Sequence, residues 1–214
     1  MTLREGEERM ATQNNAQNVS TGKGVAGGYF FSAPRTAEVL ATLPGLSDLS
    51  TPLHQSFANI GYIASDGIVE SESVDTSTAT DMNGEPIDTS RSNRTETERI
   101  KLVEVKRDSL AEQYGHKNVT DEGGLIIAHH NNAEHDHRVY VAELVLKDGR
   151  RWRKVIPDGQ VTEVADLTIN SSEIVGREVT ISCNTYTWAE GTGDDAVTHS
   201  DTVIDYIEST ETSA

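Results

Sequence analysis

The strongest constraint on the fold comes from a patterned stretch at 155–182, VIPDGQVTEVADLTINSSEIVGREVTIS, in which apolar and polar residues alternate. Alternation with a period of two is typical of β-strands that bury one face. The Pro-Asp-Gly sequence at 157–159 predicts one turn, and the Asn-Ser-Ser sequence at 170–172 predicts a second turn between strands at 161–169 and 174–183. The stretch contains no recognisable catalytic or metal-binding motif.

The same criterion predicts strands elsewhere in the chain. At 137–149 the residues on both faces are apolar, which indicates a central strand, and Lys-Asp-Gly at 147–149 predicts the hairpin turn into a strand at 150–159. A short helix is predicted at 109–115, ending at Gly115. Further strands are predicted at 27–33, 57–74, 95–105, 124–129 and, more weakly, 202–207. About eight strands with one short flanking α-helix predict a mainly β fold, a β-sandwich or barrel.

One segment, 72–94, lacks the apolar residues that a folded element needs. It consists almost entirely of Ser, Thr, Asp, Asn and Glu, with Val74, Met82 and Ile87 as isolated large apolar residues. A segment of this composition cannot fold on its own burial. We therefore expect a long polar loop, either mobile or ordered by another subunit.

Composition and charge limit the classes of function. The chain has 214 residues, enough for one domain with a real core, and its formal net charge of −17 disfavours binding to duplex nucleic acid. Only 35% of the residues are hydrophobic and 5% aromatic, which is low for a compact enzyme and points towards assembly. The single cysteine, Cys183, shares strand parity with Val179 and Ile181, so we expect it to be buried.

The domain organisation follows from where the patterning starts and stops. Residues 1–18 are polar and without periodicity, which predicts a flexible N-terminal arm. A β-domain is expected at 19–187, and 188–214 is expected to be an acidic C-terminal arm. The sequence contains no apolar run of signal-peptide or membrane-spanning length, so we expect a cytosolic protein with no membrane contact.

Two motifs suggest ligand binding, and both have a simpler reading. GKGVAG at 22–27 fits the glycine pattern of dinucleotide-binding loops, but a polar tail precedes it and an aromatic strand follows, so we expect a hinge and no cofactor. HHNNAEHDH at 129–137 offers four possible metal ligands, but it has no Cys partner and no HExxH arrangement. We therefore expect a solvated loop, with these weak metal candidates: His129, His130, His135 and His137. No residue is predicted to be catalytic.

Several stretches resemble, in the same order and spacing, the major tail (tail tube) proteins of long-tailed bacteriophages, particularly those of actinobacteria. The resemblance covers about 18–185, and its most specific parts are GYIASDGI and IPDGQVTEVADLT. NVSTGKGVAGGYFFSAP, FANIGYIASDGIVES, YGHKNVT and the stretch at 155–181 also contribute. The arms at the two ends of the chain lie outside the resemblance.

The resemblance implies a structural virion protein. Members of that family form hexameric rings of β-sandwich subunits, which stack into a hollow tube through which the genome leaves the capsid. The implied partners are further copies of this chain, the tape measure protein, the tail terminator and the distal tail proteins, with viral DNA passing through the lumen without specific binding. Localisation in the virion tail, and in the host cytoplasm during assembly, is implied as well. The segment 72–94 is then expected to contact the next ring, through Val74, Met82 and Ile87.

Two other classes of function remain open on the sequence. A β-sandwich binding module, such as a head-tail connector or a carbohydrate-binding domain, needs an exposed aromatic platform, for which Trp152, Trp188 and six tyrosines are available. A metal-dependent enzyme would use the four histidines of the segment 129–137. An exposed platform supports the first class, and retained metal supports the second.

Overall fold

A computed structural model of the chain describes residues 16–191 and 196–210. The fold is mainly β, as predicted. The described strands are β1 (Gly22–Gly24), β2 (Phe30–Pro34), β3 (Ala58–Asn59), β4 (Ile63–Thr80), β5 (Pro86–Leu102), β6 (Val119–Glu122), β7 (Leu125–Ala128), β8 (Arg138–Leu146), β9 (Arg151–Val164), β10 (Arg177–Cys183), β11 (Tyr186–Glu190), β12 (Val197–Asp201) and β13 (Ile204–Ile207). The α-helices are α1 (Ala37–Leu40) and α2 (Arg107–Tyr114), and short 3-10 turns lie at Ala16–Asn18, Leu43–Ser47 and His116–Asn118.

Nine of these strands form one antiparallel sheet. Its order is β3-β2-β8-β9-β10-β5-β4, with β1 paired to β8 and β13 paired to the first half of β9. β6 with β7 and β11 with β12 form two separate hairpins. The two ends of the sheet approach each other, because the short segment 60–62 connects the edge strands β3 and β4. In this connection Ile60 donates a backbone hydrogen bond to Phe30 next to β2, and Tyr62 accepts one from Val103 next to β5. The path of paired strands stays open, so the described strands do not close a barrel.

Hydrophobic clusters lie on both faces of this sheet because its central strands are apolar on both faces. On β8, Tyr140 and Ala142 belong to one cluster, whereas Val139 and Val141 belong to the other. The first cluster joins residues of β2, β5, β8, β9 and β10, which shows that the sheet curls around it. The second is covered by α1 and the turn after it, which contribute Val39, Leu43 and Leu46. The prediction that 137–149 is a central strand is confirmed.

Helix α2 confirms the predicted helix and lies against the first cluster. Gly115, with φ of +91°, follows its last residue as expected. Helix α1 was not predicted, because four residues are too few for a periodic pattern. It begins after Thr36, whose hydroxyl accepts a hydrogen bond from the backbone N–H of Val39 at 3.3 Å.

The prediction that 72–94 forms a loop is wrong. These residues form the outer parts of β4 and β5, a long hairpin whose register continues from Asp75 opposite Ser92 to Ala79 opposite Asp88. Backbone hydrogen bonds join the two strands, and their β-branched threonines favour an extended backbone. Asp81 shapes the turn by accepting hydrogen bonds from the backbone N–H groups of Asn83 and Glu85, each at 2.8 Å.

The predicted turn at 157–159 is also wrong, because β9 continues through it. Arg138 lies opposite Gly159, whereas Tyr140 lies opposite Ile156, so β9 has extra residues opposite β8 at this point. A bulge of this kind accommodates Pro157, which has no N–H to give to a ladder. The strand pair predicted at 161–169 and 174–183 is present in shorter form, since β9 ends at Val164 and β10 begins at Arg177.

The predicted terminal arms fall partly outside the described residues, which begin at 16 and omit 192–195 and 211–214. Within 188–214, the structure contains β12 and the predicted weak strand, now β13, which pairs with Trp152–Val155 of β9. No helix among the described residues is long and apolar enough to cross a membrane.

Candidate functional site

The β4–β5 hairpin is the feature most in need of a partner. β4 contains 18 residues and β5 contains 17. Residues 75–90, here called the distal hairpin, are exposed except for the half-buried Asp81. Antiparallel pairs do not persist alone in water on polar side chains, so a hairpin of this length gains its stability from its base or from contact with another molecule.

A cluster of four charged side chains, here called the charge cluster, secures the base of the hairpin. The Nζ atom of Lys154 lies 2.6 Å from Glu70 of β4, 3.3 Å from Glu98 of β5 and 3.2 Å from Asp205 of β13. Glu98 is fully buried and Lys154 is 6% exposed in its side chain. The cluster thereby joins the base of the hairpin to β9 and to the C-terminal strand.

The balance of charge in this cluster determines which groups are ionised. Three carboxylates face one ammonium group, and neither oxygen of Glu98 accepts a hydrogen bond of good geometry within the described part of the chain. Burial raises the pKa of Glu98 to about 7, opposed by the charge of Lys154. Burial lowers the pKa of Lys154, but the hydrogen bond to Glu70 and the three negative charges outweigh burial and raise it overall. Glu98 therefore holds a proton in the folded chain when the pH is below about 7.

A second set of contacts lies next to the charge cluster on β5. Arg94 is 3.2 Å from Glu72 and 3.1 Å from Glu96, and its guanidinium donates a hydrogen bond at 2.9 Å to Thr202. The Thr202 hydroxyl also donates to Glu96. These contacts end where the distal hairpin begins, so the hairpin is tightly held at its base and unsupported beyond it.

The three predicted contact residues all lie on this hairpin. Met82, at the tip, is 99% exposed, and Ile87 is 68% exposed. Val74 lies at the root of the distal hairpin and is half-buried. Met82 and Ile87 are thus large apolar side chains without cover in the single subunit.

The four predicted metal candidates do not converge. His130 stacks on the ring of Tyr114 with centroids 4.3 Å apart, and Nδ1 of His137 lies 2.6 Å from the buried Asp158. His135 is half-buried, and burial lowers its pKa, whereas the side chain of His129 is exposed. Among the described residues, no group of three or more His, Cys, Asp or Glu side chains could hold a metal ion.

The structure contains a buried polar network that the sequence did not predict. Glu112 of α2 accepts hydrogen bonds from Ser32 at 2.6 Å and Tyr140 at 2.8 Å, and it pairs with His116 at 2.9 Å. Burial alone would raise the pKa of Glu112, but the hydrogen bond and charge of His116, with the charge of Arg138, lower it. All these groups are bonded to one another across the packing of helix on sheet, which indicates a structural role for the network.

The other candidate groups have structural explanations. The side chain of Trp188 is almost buried and stacks on His199, and the indole N–H of Trp152 donates to Asp205, so the two tryptophans do not form an exposed platform. Residues 22–24 of the glycine motif form β1, and no helix follows them, which contradicts a dinucleotide-binding loop. Cys183 is buried as predicted, and burial raises the pKa of its thiol to about 12.

A cleft in the turn from β8 to β9 contains unpaired positive charge. It is lined by Thr21, Lys23, Val145, Leu146, Lys147 and Gly149 and has a volume of about 410 Å³. We call it the basic cleft. The ammonium groups of Lys23 and Lys147 are exposed, and neither has a carboxylate partner in the described ranges.

Comparison with known proteins identifies the family of this molecule. One solved structure that the comparison returns is the "Cryo-EM structure of the anti-feeding prophage cap (AFP tube terminating cap)", at 10% identity over 93% of this chain and 100% of that chain, with a TM-score of 0.40. No curated protein matches the sequence. A family model described as "Phage tail tube protein" matches residues 11–192. Since that model spans most of the chain, the chain belongs to the phage tail tube proteins, which are structural components of the virion tail.

Proposed function

We propose that this chain is the major tail tube subunit of a long-tailed phage, and that it forms hexameric rings stacked into a hollow tube for genome ejection. Membership of the tail tube family supports self-assembly into a tube and a non-enzymatic role. The resemblance to tail tube proteins of actinobacteriophages supports the hexameric ring. The formal charge of −17 supports passage of DNA without binding, because a negative lumen repels phosphate.

The observation that carries the proposal is the distal hairpin. Its backbone is ordered and paired, while nearly all its side chains face solvent in the single subunit. An isolated two-stranded pair is marginally stable in water, and β4 leaves one long edge without a neighbouring strand in the described sheet. Contact with a subunit of the adjacent ring removes both costs. Met82 and Ile87 supply the apolar part of that contact, and Val74 lies where it begins.

The remaining partners follow from the same role. The family resemblance supports three further partners, which are the tape measure protein, the tail terminator and the distal tail proteins. We propose that 1–18 and 188–214 act as arms that bridge neighbouring subunits around the β-domain at 19–187. We further propose that assembly takes place in the host cytoplasm.

Electron microscopy of the purified chain at high concentration tests this function. We expect hollow tubes with a regular axial repeat and six subunits in each ring. Single particles under all conditions, including conditions in which an initiator complex of the tail tip is added, would contradict the proposal. Rings with a different number of subunits would contradict the hexamer.

A variant with a shortened hairpin tests whether the hairpin joins the rings. Deleting 76–79 and 88–91 removes four consecutive register pairs, so the facing of every remaining side chain is kept. The hairpin shortens by roughly 13 Å at about 3.3 Å per residue. We expect this variant to fold with unchanged thermal stability and to form no tubes. Tubes of normal repeat from the shortened chain would show that the hairpin does not join the rings.

A further inference from the structure

The distal hairpin carries charge of one sign only. Residues 75–90 contain four carboxylates, at Asp75, Asp81, Glu85 and Asp88, and no lysine or arginine. The two arginines nearest to this segment, Arg91 and Arg94, lie nearer the base of the hairpin and pair with Glu72. The tip is therefore an acidic finger that ends in the exposed side chain of Met82.

The basic cleft has the complementary character. Lys23 and Lys147 supply two positive charges without carboxylate partners among the described residues, in a chain that carries 35 acidic against 18 basic side chains. Val145, which lies opposite Lys23 in the register of β1 and β8, adds apolar surface to the lining. Gly22 and Lys23 of β1 pair with Leu146 and Val145 of β8, and the backbone N–H of Lys147 donates to Thr21 at 2.9 Å. The cleft is thus formed by the sheet itself and does not need to rearrange.

A hairpin tip cannot reach the cleft of its own chain. Lys23 also lines the neighbouring cleft formed with 63–68, at the start of β4, so the basic cleft lies beside the base of the hairpin. The tip follows Thr80, the last residue of β4. The twelve residues from 68 to 80 extend roughly 40 Å at about 3.3 Å per residue. Any contact between tip and cleft is consequently a contact between two copies.

We propose that the basic cleft is the docking site for the acidic hairpin tip of a second copy of this chain. Met82 enters the cleft beside Val145, and Lys23 and Lys147 pair with carboxylates of the tip. The assignment rests on the proposed tube function and specifies the surface that receives the hairpin. It also explains how subunits of high negative charge associate, because the positive groups lie where the carboxylates arrive.

Charge reversal with rescue tests the pairing. Lys23→Glu with Lys147→Glu reverses the cleft, and Glu85→Lys with Asp88→Lys reverses the tip without changing Asp81, which shapes the turn. We expect each pair of substitutions to raise the critical concentration for assembly, measured by sedimentation, about tenfold, as is expected for losing a few weak ion pairs. The chain with all four substitutions should return to within about threefold of wild type.

Lys106→Glu with Lys117→Glu matches the change in net charge away from the cleft and should leave assembly near the wild-type level. Circular dichroism of every variant establishes that it is folded. If the chain with the reversed cleft assembles as well as wild type, the docking assignment is wrong while the tube function stands. The same holds if all variants fold and the chain with all four substitutions does not recover assembly. If wild type forms no tubes with the initiator complex present, the tube function itself fails, and the docking assignment fails with it.

A cross-link provides an independent readout between copies. Chains with Asp88→Cys are mixed with chains with Lys147→Cys under oxidising assembly conditions; the native Cys183 is buried and does not compete. We expect a disulfide-linked heterodimer carrying one of each variant. The pair of Asp88→Cys with Lys117→Cys should give none, and equal yields from the two mixtures would overturn the assignment.

Discussion

Replacing Glu98 with Gln tests the charge cluster at the base of the hairpin. The Glu98 side chain is fully buried, and its pKa is about 7 because burial penalises the charged form. Lys154 is the nearest cation, but it also lies 2.6 Å from Glu70 and 3.2 Å from Asp205. One ammonium group cannot neutralise three carboxylates, so Glu98 keeps its proton in the folded chain at mildly acidic pH. Glutamine has the same shape and makes the neutral form permanent.

The difference in pKa between the folded and the unfolded chain sets the size of the effect. In the unfolded chain this carboxyl has a pKa near 4.5. Below that pH the carboxyl is protonated in both states, and the folded chain has its full stability. As pH rises from 4.5 to about 7, the unfolded chain ionises while the folded chain keeps the proton, so this stability is progressively lost. A shift from 4.5 to about 7 at about 1.4 kcal/mol per pH unit corresponds to about 3 kcal/mol. The free energy of unfolding of Glu98→Gln should therefore exceed that of wild type by about 3 kcal/mol at pH 8.

Urea denaturation followed by tryptophan fluorescence measures this difference in the shortened-hairpin background, where assembly does not interfere. The advantage of Glu98→Gln should be about 2 kcal/mol smaller at pH 5.5 than at pH 8, because wild-type Glu98 is protonated at the lower pH. Glu178→Gln, which removes an ion pair with Arg99 in which both side chains are more than 40% exposed, should change stability by less than about 0.5 kcal/mol. A Glu98→Gln chain less stable than wild type at pH 8 would refute the reasoning, since Lys154 would then stabilise the ionised Glu98 by more than burial destabilises it.

Three further predictions concern the core. Gly159→Ala would place a Cβ atom 2.7 Å from the Tyr140 ring and 2.9 Å from Ile181, so we expect a loss of about 1–3 kcal/mol in urea denaturation, whereas Gly45→Ala, with open space around it, should have little effect. Glu112→Leu leaves the partners of that carboxylate unsatisfied and should lower the free energy of unfolding by about 3–5 kcal/mol at pH 7. This loss should shrink as pH falls through the lowered pKa of Glu112, because protonation then removes the stabilising negative charge from the wild type as well. Cys183 should not react with iodoacetamide at pH 8 in the folded chain, and mass spectrometry should find it fully alkylated in urea.

The sequence predicts those parts of the fold that burial determines. β8 is apolar on both faces, and it lies between β2 and β9 as a central strand must. The short helix α2 ends where Gly115 permits a positive φ. The hairpin at 72–94 escaped prediction because its strands are stabilised by backbone pairing and by their base, and hydrophobic periodicity reports neither. Its serines and threonines alternate without an apolar partner, so no face appears buried in the sequence.

The failures at the candidate site have a different cause. The four histidines of 129–137 are close in sequence, but their segment folds over α2 and β9, so that His130 contacts Tyr114 while His137 contacts Asp158. The charge cluster combines residues from β4, β5, β9 and β13, and no spacing rule joins positions so far apart. One signal was present: Lys154 precedes the apolar pair Val155 and Ile156 in the strand predicted at 150–159, and a lysine that is buried in such a strand requires carboxylates nearby.

The position of the charges along the hairpin distinguishes two roles. At the base, the carboxyl groups of Glu70 and Glu98 converge on a single lysine, and burial of Lys154 and Glu98 makes their interaction less sensitive to salt than that of exposed charges. At the tip, Glu85 and Asp88 are exposed and have no basic neighbour within the distal hairpin. The Debye length, over which salt screens the interaction of exposed charges, is about 10 Å at 0.1 M and shortens as salt increases. Assembly through the tip should therefore weaken as salt increases, while the subunit keeps its stability. Tubes that resist 1 M salt would show that apolar contact of Met82 and Ile87, and not charge, dominates the contact.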